Sequence, residues 1–430
     1  MTGPADAGPR RPEAPAPAPA TRVGAGWILA LTLGVVAVFA TWFGPLQILL
    51  PAQADRIATG AGRETLLALV TGVGAAVALV ANPVWGLVSD RCRARLGSRM
   101  PVVYAGSLLG AAGHVVLFTA DSPAVTVAGW ALVQLGFNGP FAVLAALIAD
   151  RAPEKQRGLV GSLFGVGQIV GVISGTLVAE SVGGAPLGYL VLAVGTPALL
   201  GAIVLAQHGH DRRAGDRPRP AAPASSSSPS PDPAGAPGPA GFRPTRDYVW
   251  AWLLRFLMNL ANAVLLLYLY FFLDAVIGSD DPAGGVLLVT VITLLLSAVC
   301  AGLAGALSDK VGRRRAFAIA GAVGTAAGFA VLATSTSMAQ TLVAAAVLGV
   351  GWGLFVAVDM AIITSTLASD GTAGTMLGVA NIASSLPQVV APAIAAPLVT
   401  SAAGYPALYG VGAGIAVAAA LCVLPLRTVR

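Results

Sequence analysis

Asp359 is the residue of this sequence with the most chemistry open to it. It lies in GWGLFVAVDMAIITS, the only carboxylate well away from the end of a long apolar run. A carboxyl group in such a place is neutral or charged according to its surroundings, which suits a coupling site for H⁺ or Na⁺. The competing reading is structural: a fixed pair with an arginine, or a cap for backbone groups near Gly349, Gly351 and Gly353. Trp352 stands seven residues earlier, on about the same helical face, either as an aromatic wall for a solute or as ordinary packing.

Three more stretches place polar groups at helical spacing in apolar surroundings. In DYVWAWLLRFLMNLANAVLLLYLYFF, Arg255, Asn259 and Asn262 fall at i, i+4 and i+7. A polar stripe in lipid needs a wet or protein-facing side, so these are candidate solute contacts; Arg255 could alternatively snorkel to the surface, and the asparagines could bond neighbouring helices. Gln134 and Asn138 repeat the i, i+4 pattern before Pro140, and Gln47 stands between Pro45 and Pro51 in WFGPLQILLP. Prolines there free backbone carbonyls beside a site.

Other chemistries lack their residues. Of three histidines only His114 falls within an apolar run, while His208 and His210 read as an exposed, solvated pair. Cys92, Cys300 and Cys422 show no metal spacing, and no G-x-x-x-x-G-K-(S/T) phosphate loop occurs. An enzyme, a metal centre, a bound cofactor and an ATP-driven pump are therefore not expected. The net charge of +6 is not gathered into one basic stripe, so neither is nucleic-acid binding.

The elements that must carry these residues are membrane helices. Charged residues are 10% of the chain and AVILMFWYC residues 56%, with mean hydropathy +0.80, against roughly 25% charge in soluble domains. A crossing takes about 20 apolar residues, and twelve such runs lie between residues 27 and 426. With twelve crossings both termini share a side. That side collects 22 of the 25 Lys and Arg residues, in the N-terminal tail, after helices 2, 4, 6 and 8, and at the C-terminus; Arg56 and Arg63 fall opposite and Arg255 inside helix 7. Positive charge stays cytoplasmic, so both termini are expected there. The expected architecture is all-α: a disordered cytoplasmic tail (1–26), six helices (27–206), a disordered Pro/Ser/Gly-rich linker (207–246) and six more helices (247–427).

The two sets of six are related. GLVSD at 86–90 and GALSD at 305–309 match at a spacing of 219, each after the second helix of its set. GQIVG at 167–171 and PQVVA at 387–391 put Gln168 and Gln388 at equivalent depth. In the second set Gly305, Asp309, Lys310, Gly312, Arg313 and Arg314 follow G-x-x-x-D-(R/K)-x-G-R-(R/K). The first set keeps Gly86, Asp90, Arg91, Gly97 and Arg99, with four extra residues between Asp90 and Gly97. In these features the chain from 27 to 426 resembles the major facilitator superfamily of secondary transporters, and the longer first loop is similar to that of glycoside and sucrose cation symporters.

The resemblance implies alternating access by a chain that works as a monomer, with helices 1, 4, 7 and 10 lining a central cavity. Asp90 and Asp309 would then sit near the starts of helices 11 and 5, whose N-termini attract anions. A contact of ~0.3–2 kcal/mol there is comparable to the gap between conformations, so each aspartate is expected to latch one half to the other. Drug antiporters carry a proline in helix 5 and an arginine in helix 4; here Val170 stands at the first place and WALVQLG lacks the second. Uncharged hydrogen-bonding groups point to a neutral polar solute such as a sugar, moved with H⁺ across a plasma membrane; drug efflux is the alternative. Two lysines against 23 arginines point to a GC-rich, bacterial genome.

Overall fold

The computed structural model describes residues 22–214, 244–367 and 373–428. Most of the expected tail and linker lies outside these residues. Among the described residues there are twelve helices long and apolar enough to cross a membrane, and no strand. They are α1 (Ala25–Ile57), α2 (Ala61–Leu96), α3 (Met100–Thr119), α4 (Pro123–Arg151), α5 (Glu154–Ser181) and α6 (Leu187–Ala214). The second set is α7 (Arg246–Leu267, continued by a short helix Leu269–Ala275), α8 (Pro282–Val311), α9 (Arg314–Ala333), α10 (Met338–Ser365), α11 (Ala373–Val399) and α12 (Gly404–Val423). Helix α6 runs past residue 206, where the linker was expected to begin, because Gln207 is tied back into the bundle by the Trp27 indole (3.0 Å).

Local sequence explains the ends. Thr245, Asp281 and Ser337 cap α7, α8 and α10 by accepting from the backbone N–H three residues on. Gly97 and Gly312 close α2 and α8 at φ +69° and +67°, the left-handed geometry glycine enters without steric cost; this is why both matching loops carry a glycine. Pro45 has no N–H to continue the α-helical ladder. The chain passes through a π-helical turn, Pro45–Leu49, where the Leu50 N–H reaches back to the Pro45 carbonyl.

The duplication is visible in the packing. In the first half α1 packs on α5 and α6, α4 on α2 and α3, and α3 on α6; in the second α7 packs on α11 and α12, α10 on α8 and α9, and α9 on α12. In each half, therefore, the third and sixth helices close the back. Small residues allow the approach: a Cβ on Gly175 of α5 would collide with the Ala40 carbonyl of α1. Large apolar side chains such as Leu108, Val194, Leu205 and Leu303 face outward, as a lipid-facing surface requires.

Among the described residues the halves touch through α2 with α11, α5 with α8, and the π turn of α1 with α7 and α8, and the polar contacts between them lie at one end. On the side away from the termini Gly72 of α2 meets Pro392 of α11, and Gln47 of α1 joins Thr176 of α5 to Thr290 of α8. On the side of the termini, a Cβ at Gly86, Gly158, Gly161, Gly165, Gly302, Gly305 or Gly378 would meet nothing within 4 Å. Among the described residues no hydrogen bond or ion pair joins the halves there, and the space between them opens toward the termini.

Candidate functional site

The second-half wall of this cavity is built on α7, α10 and α11, with the back helices α9 and α12 behind it. Arg255 Nη1 donates to Asp359 Oδ2 at 2.7 Å and Arg255 Nε to Ser384 Oγ at 2.8 Å. Arg255 lies nine residues inside α7, about 14 Å at 1.5 Å per residue, and is 9% exposed. It does not snorkel, because a carboxylate and a hydroxyl at its own depth satisfy it. Asp359 is therefore one member of an ion pair rather than a solitary carboxylate. Removing one partner of a buried pair leaves the other charge uncompensated, so the two side chains depend on one another.

Asn259 and Asn262 lie one and about two turns along α7 from Arg255, with different surroundings. The Asn259 amide donates to the Arg255 carbonyl at 2.8 Å. Asn262 lines a small hollow with Thr293, Thr325 and Trp352, so the stripe on α7 and Trp352 on α10 do come together. Ser384 had no signal of its own; it is one of many serines, and only the fold brings α11 to α7.

In the first half three expected solute contacts are drawn into packing. Gln47 is 3% exposed, and its Oε1 accepts from Thr176 (2.9 Å) and Thr290 (3.0 Å). It bridges the halves instead of facing open space. The cause is the π turn, whose extra residue rotates the rest of the helix by about 100°. Asn138 is buried and folds onto its own helix, donating to the Gln134 carbonyl at 2.7 Å; Gln134 packs beside Gly74 of α2. Partly exposed rings join α1 to α4: Trp42 and Phe141 meet edge to face at 5.4 Å, Phe39 and Phe141 at 5.8 Å. Behind α1, His114 of α3 is fully buried and hydrogen-bonded to Thr41.

The paired aspartates also differ from expectation. Asp90 Oδ1 accepts from Arg99 Nη1 at 2.6 Å, and Asp309 stands 3.6 Å from Arg314. Each pairs inside its own half, and among the described residues neither forms a hydrogen bond or ion pair with the other half. Arg91, Lys310 and Arg313 are exposed. The buried member is Arg99, which also donates to Ser89 (2.8 Å) and Asp150 (2.8 Å), and Asp150 takes Arg93 as well. Asp150, at the end of α4, was missed because its partners are some 50 residues away in sequence.

The contacts that do join the halves are on the opposite side and center on two neighbouring residues of α2. Arg63 Nη1 donates to Asp55 (2.7 Å) in its own half and to Asp274 (3.0 Å) in the other, and its Nε to Glu64 (3.2 Å). Its guanidinium lies over Phe271, 4.8 Å from the ring center. Glu64, 7% exposed, accepts from the Tyr405 hydroxyl at 2.9 Å, and its backbone carbonyl from the Tyr268 hydroxyl at 2.9 Å. The one available signal was that Arg56 and Arg63 are the sole basic residues assigned to that side.

The sequence model of the Major Facilitator Superfamily matches residues 31–392 and, in a second alignment, 282–430. The chain belongs to this superfamily. It is a multi-pass integral membrane protein of a transporter family, not an enzyme. Solved superfamily structures share its fold. The peptide transporter POT superposes with a TM-score of 0.74 at 15% identity, over 96% of this chain and 98% of that one. The nucleoside transporter NupG gives 0.71 at 10% identity, over 93% and 99%. A bacterial homologue of the human lysosomal transporter Spinster, in an inward-facing and occupied conformation, gives 0.67 at 14% identity, over 92% and 94%. No curated protein matches the chain in a sequence comparison.

Proposed function

We propose that this superfamily member is a proton-coupled secondary transporter that carries a small neutral polar solute across a bacterial plasma membrane as a monomer. The observation that carries this reading is the asymmetry between the two ends: Arg63 and Glu64 tie the halves together on one side, while among the described residues no hydrogen bond or ion pair joins them on the other. The excess of Lys and Arg on the side of the termini assigns that side to the cytoplasm. The cavity is then open inward, and exchange with an outward-open state by rocking of the halves completes a transport cycle.

Coupling is assigned to Asp359 through Arg255. A proton on Asp359 abolishes its charge and its hold on Arg255; the freed guanidinium then reorganises α7 against α10 and α11. Loss of the proton restores the pair. Asn259 and Asn262 supply uncharged hydrogen-bonding groups farther along α7, and the neutrality of the closed ion pair favours a solute without net charge. In the outward-open state Asp90 and Asp309 take up contacts across the cytoplasmic end, which they lack here.

The test is proton movement into proteoliposomes on adding sugars or, separately, cationic drugs, with wild type and Asp359→Asn. Sugar-triggered proton entry that vanishes in the variant supports the assignment. Drug-triggered proton counterflow, or coupling that survives the substitution, overturns the solute class or the role of Asp359.

A further inference from the structure

One face of α7 is fastened to α11. Tyr248, Trp252 and Arg255 stand at i, i+4 and i+7, and each donates to α11: the Tyr248 hydroxyl to the Met376 carbonyl, the Trp252 indole to the Val379 carbonyl (2.9 Å) and Arg255 Nε to Ser384 Oγ (2.8 Å). The first two acceptors are backbone atoms. The third is a side chain, so it alone depends on which residue α11 carries. The neighbouring Ser385 bonds back to the Asn381 carbonyl (3.2 Å), as hydroxyls within helices commonly do. Among the described residues Ser384 makes no such bond, and its oxygen is turned to Arg255.

Arg255 also holds Asp359 of α10 through Nη1, so one guanidinium joins three helices. It is buried, and a buried cation is costly without an acceptor at its own depth. A proton from water between the halves that forms an O–H bond on Asp359 removes the charge that strengthens its hydrogen bond with Arg255. The oxygen that still faces the guanidinium is then Ser384, on α11. Other groups do not compete. α10 and α11 carry no titratable side chain besides Asp359, Tyr248 of α7 is spent on Met376, and Asp309, Lys310, Arg314 and Arg315 lie at the ends of α8 and α9 on the side of the termini. α11 in turn packs on α2 of the first half, where Pro392 meets Gly72 eight residues, about 12 Å, beyond Ser384.

We propose that Ser384 is a positioning residue of the coupling step: it keeps the Arg255 guanidinium on α11 when Asp359 is discharged, so that α7 and α11 shift together against α10 and the shift reaches α2 in the other half. This rests on the assignment of coupling to Asp359 and adds the element that carries the change to the contact between the halves. Without the hydroxyl, Arg255 loses its second partner, and a proton on Asp359 no longer moves α11.

The experiment reads the gap between the halves at the closed end and needs no solute. Nitroxides on Thr59→Cys and Thr400→Cys, exposed positions at that end of the first and second half, are placed in the full chain carrying Cys92→Ala, Cys300→Ala and Cys422→Ala. Pulsed electron paramagnetic resonance then gives their distance distribution in acidic and in alkaline buffer. With Asp359 and Ser384 intact the open-to-closed ratio is expected to differ between the two buffers, and Asp359→Asn should hold one ratio in both. Ser384→Ala should shrink the pH-dependent change at least fivefold. Ser384→Thr, which keeps the oxygen, should retain the change, and Ser384→Val, of the same shape without the oxygen, should lose it; this pair decides the role even where the alanine variant does not fold. A change that survives in Ser384→Val, or is lost equally in the threonine and valine variants, overturns the role of Ser384 and leaves Asp359 as the coupling group. No change with both residues intact, or one that persists in Asp359→Asn, overturns the coupling assignment and this inference with it.

Discussion

Arg63 of the first half donates to Asp274 of the second at 3.0 Å, and the adjacent Glu64 accepts from Tyr405 at 2.9 Å. Two consecutive residues at the start of α2 thus hold the far end shut. Arg63 is largely covered but Asp274 is 42% exposed, so solvent screening leaves ~0.2–1 kcal/mol for that pair; the contact with Phe271 adds ~0.5–1. Arg63→Gln should therefore shift the balance toward far-side opening by about 1–2 kcal/mol, roughly 5–30-fold in population. Labelling of a cysteine placed on the far-side end of α11 reads this directly. An unchanged labelling rate would remove Arg63 from the gate.

Arg255 and Asp359 should behave as a unit. Breaking a fully buried pair costs ~3–5 kcal/mol; side chains 11% and 17% exposed should lose somewhat less, about 2–3. Arg255→Leu and Asp359→Leu should each lower the melting temperature, and the double variant should recover most of the loss. Additive losses would mean that the two groups do not depend on one another.

The charged cluster at the ends of α2 and α4 should be graded by burial. Asp150 accepts from both Arg93 and Arg99, and its side chain is 17% exposed, whereas Asp90 holds Arg99 from a position 68% exposed. Asp150→Asn should destabilise by about 1–3 kcal/mol and Asp90→Asn by less than ~1. Thermal melts of the two variants check the order, and the reverse order would refute it.

Gly175 and Gly161 lie on the same helix with opposite demands. At Gly175 a side chain would drive into the Ala40 backbone; at Gly161 it would meet nothing. Gly175→Leu should prevent stable folding or cost at least ~3 kcal/mol, while Gly161→Leu should stay within ~0.5 kcal/mol in this conformation. Expression and melting temperature separate the two; equal behaviour would contradict the packing of α5 on α1.

Legibility in the sequence followed the range of the interaction. Twelve crossings were readable because each is a local hydropathy signal, and the duplication because GLVSD and GALSD recur within their own segments. The i, i+4, i+7 stripe of Arg255, Asn259 and Asn262 was readable because a single helix sets that spacing. Asp359 could be picked out as unusual, yet both of its readings stayed open, since the choice depended on whether an arginine 104 residues earlier faced it.

The residues whose surroundings differ from those expected do so for related reasons. Gln47 was singled out by its place between Pro45 and Pro51, which does not say which way it faces; the π turn at Pro45–Leu49 turns it to Thr176 and Thr290. Asp90 and Asp309 were expected to reach across the halves, but here each pairs with an arginine of its own half. Glu64, Tyr268 and Tyr405 have no mutual spacing to notice, since α2, α7 and α12 are distant in the chain.

By itself, the sequence determined the solvent this chain lives in, the number of its crossings, their repetition and the side on which positive charge collects, because hydropathy, charge and motif recurrence are additive along the chain. Only the tertiary structure decided which groups pair and which end is closed. Those depend on helix rotation and on short contacts between distant segments, where a turn of one residue or a separation of a few ångströms changes the partner.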